Sequence, residues 1–169
     1  MNIIIRDMEY KDCLAFADAF TAQGWNKPIE QFQKYYQQQE SGEKKIFVAE
    51  VDGQVAGYTT LLDNEDEGPF TDVSIIRDFN VLIRYQKQGI GSLIMNTVEH
   101  HVSTYTDRIC LGVGMHHDYG SAQRMYVKRG YIPDGSGVWY DDHNLAIGAA
   151  CRNDDGLILY LMKILDNNH

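Results

Sequence analysis

The sequence predicts a single mixed α/β domain, and three observations carry that expectation. At 169 residues the chain has the length of one domain with its own core. Short runs rich in β-branched and aromatic residues alternate with segments whose apolar residues recur at helical spacing. Between two of the strand-like runs lies Asp52-Gly53, the strongest local hairpin signal in the chain.

Ile3-Ile4-Ile5 opens the order as a short β-branched strand. Cys13, Leu14, Ala17 and Phe20 follow at helical spacing and end near Gly24, with Asp7 or Glu9 placed to favour the helix N-terminus. Pro28 suits the first position of a second helix, which runs to about Glu40 before Ser41-Gly42 stops it. Residues 45–51 and 54–62 are the two arms of the hairpin, and the acidic stretch 63–69 connects them to a strand over 73–81. After a glycine turn, Leu93, Ile94, Val98 and Val102 mark an amphipathic helix over 92–102. A strand over 108–114 and a helix ending near Arg129 come next. Gly135, Gly137 and Gly148 punctuate the last region, and 157–164 is its closing strand. The order is β-α-α-β-β-β-α-β-α-β-β, with no internal repeat and no interdomain linker.

Composition narrows the function. No apolar run approaches the roughly 18 residues a membrane span requires, and the N-terminus lacks a basic region followed by an apolar one, so a soluble, cytoplasmic protein is expected. Cys13, Cys110 and Cys151 are odd in number and far apart, which suggests neither a disulfide framework nor a zinc site, and no metal is expected. Cys110, inside an apolar strand, reads as a buried small hydrophobe. A net charge of −9 argues against a nucleic acid partner. It favours a cationic substrate such as an amine, and it also serves solubility.

The most informative residues are Gln86-Lys87-Gln88-Gly89-Ile90-Gly91, because they form a strand-to-helix turn. Glycines there let backbone N–H groups approach an anion closely, and Arg84 and Lys87 add positive charge. The arrangement suits a pyrophosphate. It is not a dinucleotide fingerprint, since Ile94 stands where the third glycine belongs and Asp107 precedes the next strand instead of ending it. A Gly-Lys-Ser/Thr run is also absent from the sequence. What remains, Gln86-x-x-Gly89-x-Gly91, resembles the coenzyme A loop of the GNAT superfamily of N-acetyltransferases. A second stretch, Ala122 through Met125-Tyr126 to Gly130-Tyr131, resembles the other GNAT signature and follows at the family's distance, with one strand between. The resemblance covers roughly residues 3–164. Outside the two motifs it is a match of element order.

That resemblance implies one GNAT domain over 1–169, with a central mixed sheet splayed between its fourth and fifth strands and helices on both faces. It implies transfer of an acetyl (or other acyl) group from acetyl-CoA to a primary amine by direct attack. Val81, Leu82 and Ile83 would line the pantetheine arm, a backbone N–H near Val81 polarising the thioester carbonyl. Gln86, Lys87, Gln88, Gly89, Ile90, Gly91 and Ser92 would hold the diphosphate. Tyr126 stands at the position of the acid that protonates the departing thiolate, and a phenol with an ordinary pKa of about 10 suits that task.

The base stays open among Asp72, Asp78, His116, His117 and ordered water. The family often has Asn where this chain has Tyr119, so that contact departs from the pattern. Pro133-Asp134-Gly135 resembles a GNAT subgroup without an assigned substrate. The substrate side would draw on Trp25, Tyr35, Tyr36, Glu65, Asp66, Glu67, Trp139, Tyr140, Asp141 and Asp142, as a cation pocket or as anchors and solvated loops. His100-His101 reads as surface. The implied partner is a small-molecule or peptide amine; a homodimer is open. The alternative to an enzyme is a catalytically silent acetyl-CoA-binding GNAT module acting as sensor or protein partner.

Overall fold

The computed structural model describes residues 1–63 and 67–166. In chain order its elements are β1 (Ile3–Asp7), α1 (Asp12–Ala22), α2 (Ile29–Glu40), β2 (Lys45–Val51), β3 (Gln54–Leu62), β4 (Ser74–Val81) and α3 (Ile90–Ser103). There follow β5 (Arg108–Gly114), α4 (Gly120–Lys128), β6 (Ile132–Tyr140), β7 (His143–Asn144) and β8 (Leu157–Ile164). The fold is mixed α/β, and the strands run in the order β1-β2-β3-β4-β5-β8-β6-β7. The chain makes two compact units, one of residues 1–62 and 77–100, the other of 63–76 and 101–169. Among the described residues no helix is long and apolar enough to cross a membrane.

In the first unit β1, β2 and β3 are antiparallel neighbours. Asp52 (φ 49°) and Gly53 (φ 84°) both take left-handed backbone, the turn that matches strand twist, so the hairpin bounds are those the sequence predicts. The core joins Cys13, Phe16 and Phe20 of α1 and Phe32 of α2 to Ile46, Val48, Tyr58 and Leu82. Its aromatic rings interlock, Phe16 stacking on Phe32 at 5.4 Å and meeting Tyr58 edge-on at 5.0 Å. Leu14, expected inward, is 57% exposed; Phe16 takes its place.

The acid at the start of α1 also differs from expectation. Asp12, not Asp7 or Glu9, is buried there, forked onto Arg6 at 2.7 and 2.9 Å and accepting the Glu9 amide at 2.8 Å. A carboxylate can be buried at that point because a guanidinium and a backbone donor satisfy it. Pro28 sits just ahead of α2 rather than inside it. Helix α3 begins two residues earlier than the apolar spacing suggests, and Met95 rather than Leu93 completes its buried face.

In the second unit the first three residues of β4 pair in parallel with β5, Ser74 with Ile109 through Ile76 with Leu111. Strand β5 pairs antiparallel with β8 over its whole length, and β6 pairs with β8 and β7. Gly135 (φ 96°) and Gly137 (φ 79°), expected to punctuate the last region, lie inside β6 at a register shift between Pro133 and Val138. The irregularity is held by Asp134, which accepts the Ser136 amide and hydroxyl, while Ser136 accepts the Trp139 indole N–H at 2.8 Å. Cys110 is buried as expected, and burial pushes its thiol up to about 12.

Candidate active site

The turn after β4 is built to present backbone. Leu82 is buried and its amide donates to the Ala56 carbonyl at 2.8 Å, anchoring the end of β4 to β3. The next amide, of Ile83, donates to Gln23 Oε1 at 3.1 Å. A single 3-10 turn over Ile83–Tyr85, which apolar spacing does not reveal, then reverses the chain. The Gln86 side chain reaches back to the Val81 carbonyl at 3.0 Å, and Gln88 reaches back to the Arg84 carbonyl at 3.1 Å. The two glutamines of the motif therefore latch the loop from within.

Lys87 (φ 60°) and Gly89 (φ 83°) are left-handed, a pattern that turns successive N–H groups toward one point. The Gly89 carbonyl accepts the Leu93 amide at 3.1 Å, so the earlier amides of α3 (Ile90, Gly91, Ser92) are those a helix start leaves without intrahelical partners. No acid occupies that first turn, and a Cβ placed on Gly89 would meet nothing within 4 Å. The guanidinium of Arg84 lies 4.6 Å from the Tyr85 ring centre. Open space, converging amides and two cations fit a diphosphate.

Four residues before the Leu82 anchor, the strand itself bends. Asp78 has φ 49°, left-handed in the middle of β4, and the Arg77 carbonyl accepts both the Thr59 and Thr60 hydroxyls at 3.1 and 2.9 Å. The Asp78 carboxylate collects Tyr35 OH and Tyr58 OH at 2.6 Å each and Asn80 Nδ2 at 2.7 Å. Gln31 Nε2 at 3.2 Å and Lys27 Nζ at 3.3 Å complete the set. Burial, and then the charge of Asp78, raise the Tyr35 and Tyr58 phenols well above the usual tyrosine range. Close by, a Cβ on Gly57 would meet the Asn80 carbonyl at 2.6 Å, so β3 presses directly on the end of β4. Asp78 was one of several candidate bases by sequence. In the structure its oxygens are taken by five donors that fix the strand's bend.

His116 is committed in the same sense. Its Nδ1 accepts the Asp118 amide at 3.3 Å and its Nε2 meets Asp155 Oδ1 at 2.7 Å, so the hydrogen bonds assign the proton to Nε2. Tyr119 donates to the same Asp155 oxygen at 3.2 Å, and its ring covers Gly114, where a Cβ would strike it. The hydrogen bond from His116 holds the Asp155 carboxyl below the usual carboxylate range. His117 is exposed and lies 3.0 Å from Asp118. A cavity of about 430 Å³ is lined by these histidines with Asn153, Asp154 and Asp155. His116, His117 and Asp118 could each offer an atom to a metal, but both His116 nitrogens are engaged, which leaves an ion only two exposed ligands.

Tyr126 is buried on α4, its ring 5.8 Å from that of Tyr131. Burial raises its phenol above the ordinary tyrosine range, and none of the described residues hydrogen-bonds its hydroxyl. Asp72 is exposed, with φ 54°, and precedes β4. Trp25 is 40% exposed and stacks on Phe20. Trp139 meets Tyr160 edge-on, an anchor for β6. Asp141 and Asp142 are exposed, as is His100, while Glu65 and Asp66 lie outside the described residues.

The sequence model of the acetyltransferase (GNAT) domain matches residues 7–143. The chain belongs to the GNAT acetyltransferase family. Solved structures with the same fold cover it almost entirely. An N-acetyltransferase from Staphylococcus aureus Mu50 is 14% identical over 98% of this chain and 100% of its own, with a TM-score of 0.73. The yncA protein of Salmonella typhimurium, solved with its cofactor acetyl-CoA, is 15% identical over 99% and 95%, with a TM-score of 0.69. The ribosomal-protein-S18-alanine N-acetyltransferase of Escherichia coli is 13% identical over 97% and 94%, with a TM-score of 0.70. A search of the curated proteins returns no match.

Proposed function

We propose that this chain transfers an acetyl group from acetyl-CoA to a primary amine of a small molecule or peptide. The observation that carries the reading is the latched loop between Val81 and Ser92, with its open left-handed Gly89 and acid-free helix start. In a chain of this family, that loop is what a coenzyme A diphosphate requires. Acetyl-CoA brings the activated acyl group, and the residues of this chain do the rest. Arg84, Lys87 and the amides of residues 86–92 hold the diphosphate. Leu82 and Ile83 line the arm. A backbone N–H at Val81 donates to the carbonyl oxygen where negative charge develops, its position fixed in advance by the Gln86 latch and the close approach of Gly57.

Tyr126 supplies the proton that the departing sulfur takes up. Its raised pKa keeps it protonated at neutral pH, and a hydroxyl that none of the described residues engages is available to donate. With the oxygens of Asp78 and the nitrogens of His116 already engaged, the amine loses its proton to water.

Thiol release from acetyl-CoA against a panel of polyamines, amino acids, amino sugars and peptides tests the reading. At least one amine should raise release above the hydrolytic background, and Tyr126→Phe should lower kcat for that amine roughly 10²-fold. Acetyl-CoA binding without thiol release across the panel would make the chain a binding module instead.

A further inference from the structure

Leu82 is extended (φ −57°, ψ 140°), so its own amide points to Ala56 on β3 while the groups that flank it face the opposite side. Those groups are the Val81 carbonyl and the Ile83 amide. An amide laid along that side would donate to Val81 and accept from Ile83, as a neighbouring strand does. In the structure each group is met by a glutamine carboxamide. Gln86 Nε2 donates to the Val81 carbonyl at 3.0 Å, and Gln23 Oε1 accepts from the Ile83 amide at 3.1 Å.

The two contacts are not equivalent. A carbonyl oxygen has two lone pairs, so Val81 can take a second donor while Gln86 stays. An amide has one proton, so Ile83 must exchange Gln23 for any other acceptor. The amides of Leu82 and Tyr85 are fixed on the backbone carbonyls of Ala56 and Leu82, at 2.8 Å each. The Ile83 amide is held by a side chain, which can leave without undoing the sheet or the turn. That side chain is also poorly satisfied. Gln23 Nε2 is buried, and none of the described residues accepts from it, which offsets much of what the Oε1 bond contributes. The Gln23 backbone is firmer, its amide shared between the Ala19 and Phe20 carbonyls at 3.3 and 3.2 Å where α1 ends. The movable part is the carboxamide.

We propose that Gln23 is a placeholder for the pantetheine arm: its carbonyl holds the Ile83 amide, and an amide carbonyl of the arm takes that amide over as the Gln23 side chain swings out. The inference rests on the acetyl-CoA reading and deepens it by naming the residue that the coenzyme displaces. The exchange is like for like, since a glutamine carboxamide and a pantetheine amide offer the same kind of acceptor. One bond is traded for another, so Gln23 limits what the arm gains here. Its departure also removes the buried orphan at Nε2, which keeps the exchange within the coenzyme's reach. ADP has the diphosphate and no arm, so it can fill the loop without disturbing Gln23. Gln23 takes no part in the bonds that form and break at the acyl carbon. It is a positioning residue that keeps the backbone at Leu82 and Ile83 in the extended form the arm needs.

Calorimetry on the whole chain, with acetyl-CoA and with ADP, tests this. If the wild type binds no acetyl-CoA, the acetyltransferase reading falls, and this inference with it. If it binds, Gln23→Met keeps the length of the side chain and removes both polar atoms. That variant should bind acetyl-CoA about threefold more tightly, a net hydrogen bond less the orphan's offset, with ADP unchanged. A glutamine that merely supported the loop would give the opposite sign. Weaker or equal acetyl-CoA binding by Gln23→Met therefore overturns the placeholder while the reading stands. A second measurement uses the wild type alone, by nuclear magnetic resonance on nitrogen-labelled protein. The side-chain amide signal of Gln23 should move when acetyl-CoA is added and hold still when ADP is added. A Gln23 signal that acetyl-CoA leaves in place shows the side chain still on Ile83, and overturns the proposal as well.

Discussion

Asp78 and Asp155 each gather a tyrosine hydroxyl and a nitrogen donor, but their surroundings differ. Asp78 is 22% exposed and satisfied by Tyr35, Tyr58, Asn80, Gln31 and Lys27 around a bend in β4. Asp155 is 80% exposed and holds His116 and Tyr119 at the surface of the other unit. The same chemistry therefore does two jobs. Where water is largely excluded, a carboxylate ringed by donors is a structural knot, since removing it takes a charged acceptor from each of them. Where water is present, the same contacts fix a histidine tautomer at little energetic consequence. Neither arrangement leaves a group poised to deprotonate an amine.

The largest test of this contrast is stability. Asp78→Ala should lose about 3 kcal/mol in urea unfolding, because the Tyr35 and Tyr58 hydroxyls and the Lys27 ammonium lose a common acceptor. Asp155→Ala should lose less than about 0.5 kcal/mol. Losses of similar size would erase the distinction between knot and tether.

A finer cut removes single hydroxyls. Tyr58 is 1% exposed and donates to a charged oxygen at 2.6 Å, so Tyr58→Phe should cost about 1.5 to 2 kcal/mol. Tyr119→Phe keeps the ring over Gly114 and removes a 3.2 Å bond to an exposed carboxylate, a matter of a few tenths of a kcal/mol. The same pair of variants separates structure from chemistry. A Tyr58→Phe protein that unfolds earlier but keeps its KM for acetyl-CoA confirms that the knot supports the strand without touching the coenzyme.

What sequence could and could not foresee divides along the same line. The bounds of β2, β3, β5 and β8 were readable because each is a short apolar run between strong local breakers, Asp52-Gly53 above all. The loop from Gln86 to Ser92 was readable because its left-handed turn at Gly89 (φ 83°) suits glycine. Asp78 could be read only as a carboxylate of uncertain use, since four of its five partners lie 20 to 51 residues away on β3, α2 and the segment before it. No local period carries such a convergence. Likewise the exchange of Leu14 for Phe16, and of Leu93 for Met95, depends on what each helix packs against, and the two-residue β7 depends on its pairing with Trp139 and Tyr140. Asp155 escaped notice altogether. It is one of a pair of aspartates in a polar stretch, and only the fold brings it to His116.

The smallest expected effect is also the most specific, because it reads the exposed tether directly. The hydrogen bond from His116 depresses the Asp155 carboxyl, with Tyr119 adding to it. A carboxyl whose folded pKa is depressed stabilises the fold fully above its unfolded pKa, about 3.9 for aspartate, and loses that contribution as pH falls through the folded value. The difference in unfolding free energy between wild type and Asp155→Asn should therefore shrink as pH falls below about 4. At 80% exposure the change is a fraction of a kcal/mol, so paired urea titrations at closely spaced pH values are needed to see it. Added salt should compress the difference at pH 5, as screening does for any exposed pair, whereas the cost of Asp78→Ala should barely respond. A salt-sensitive Asp78 and a salt-insensitive Asp155 would invert the assignment of knot and tether.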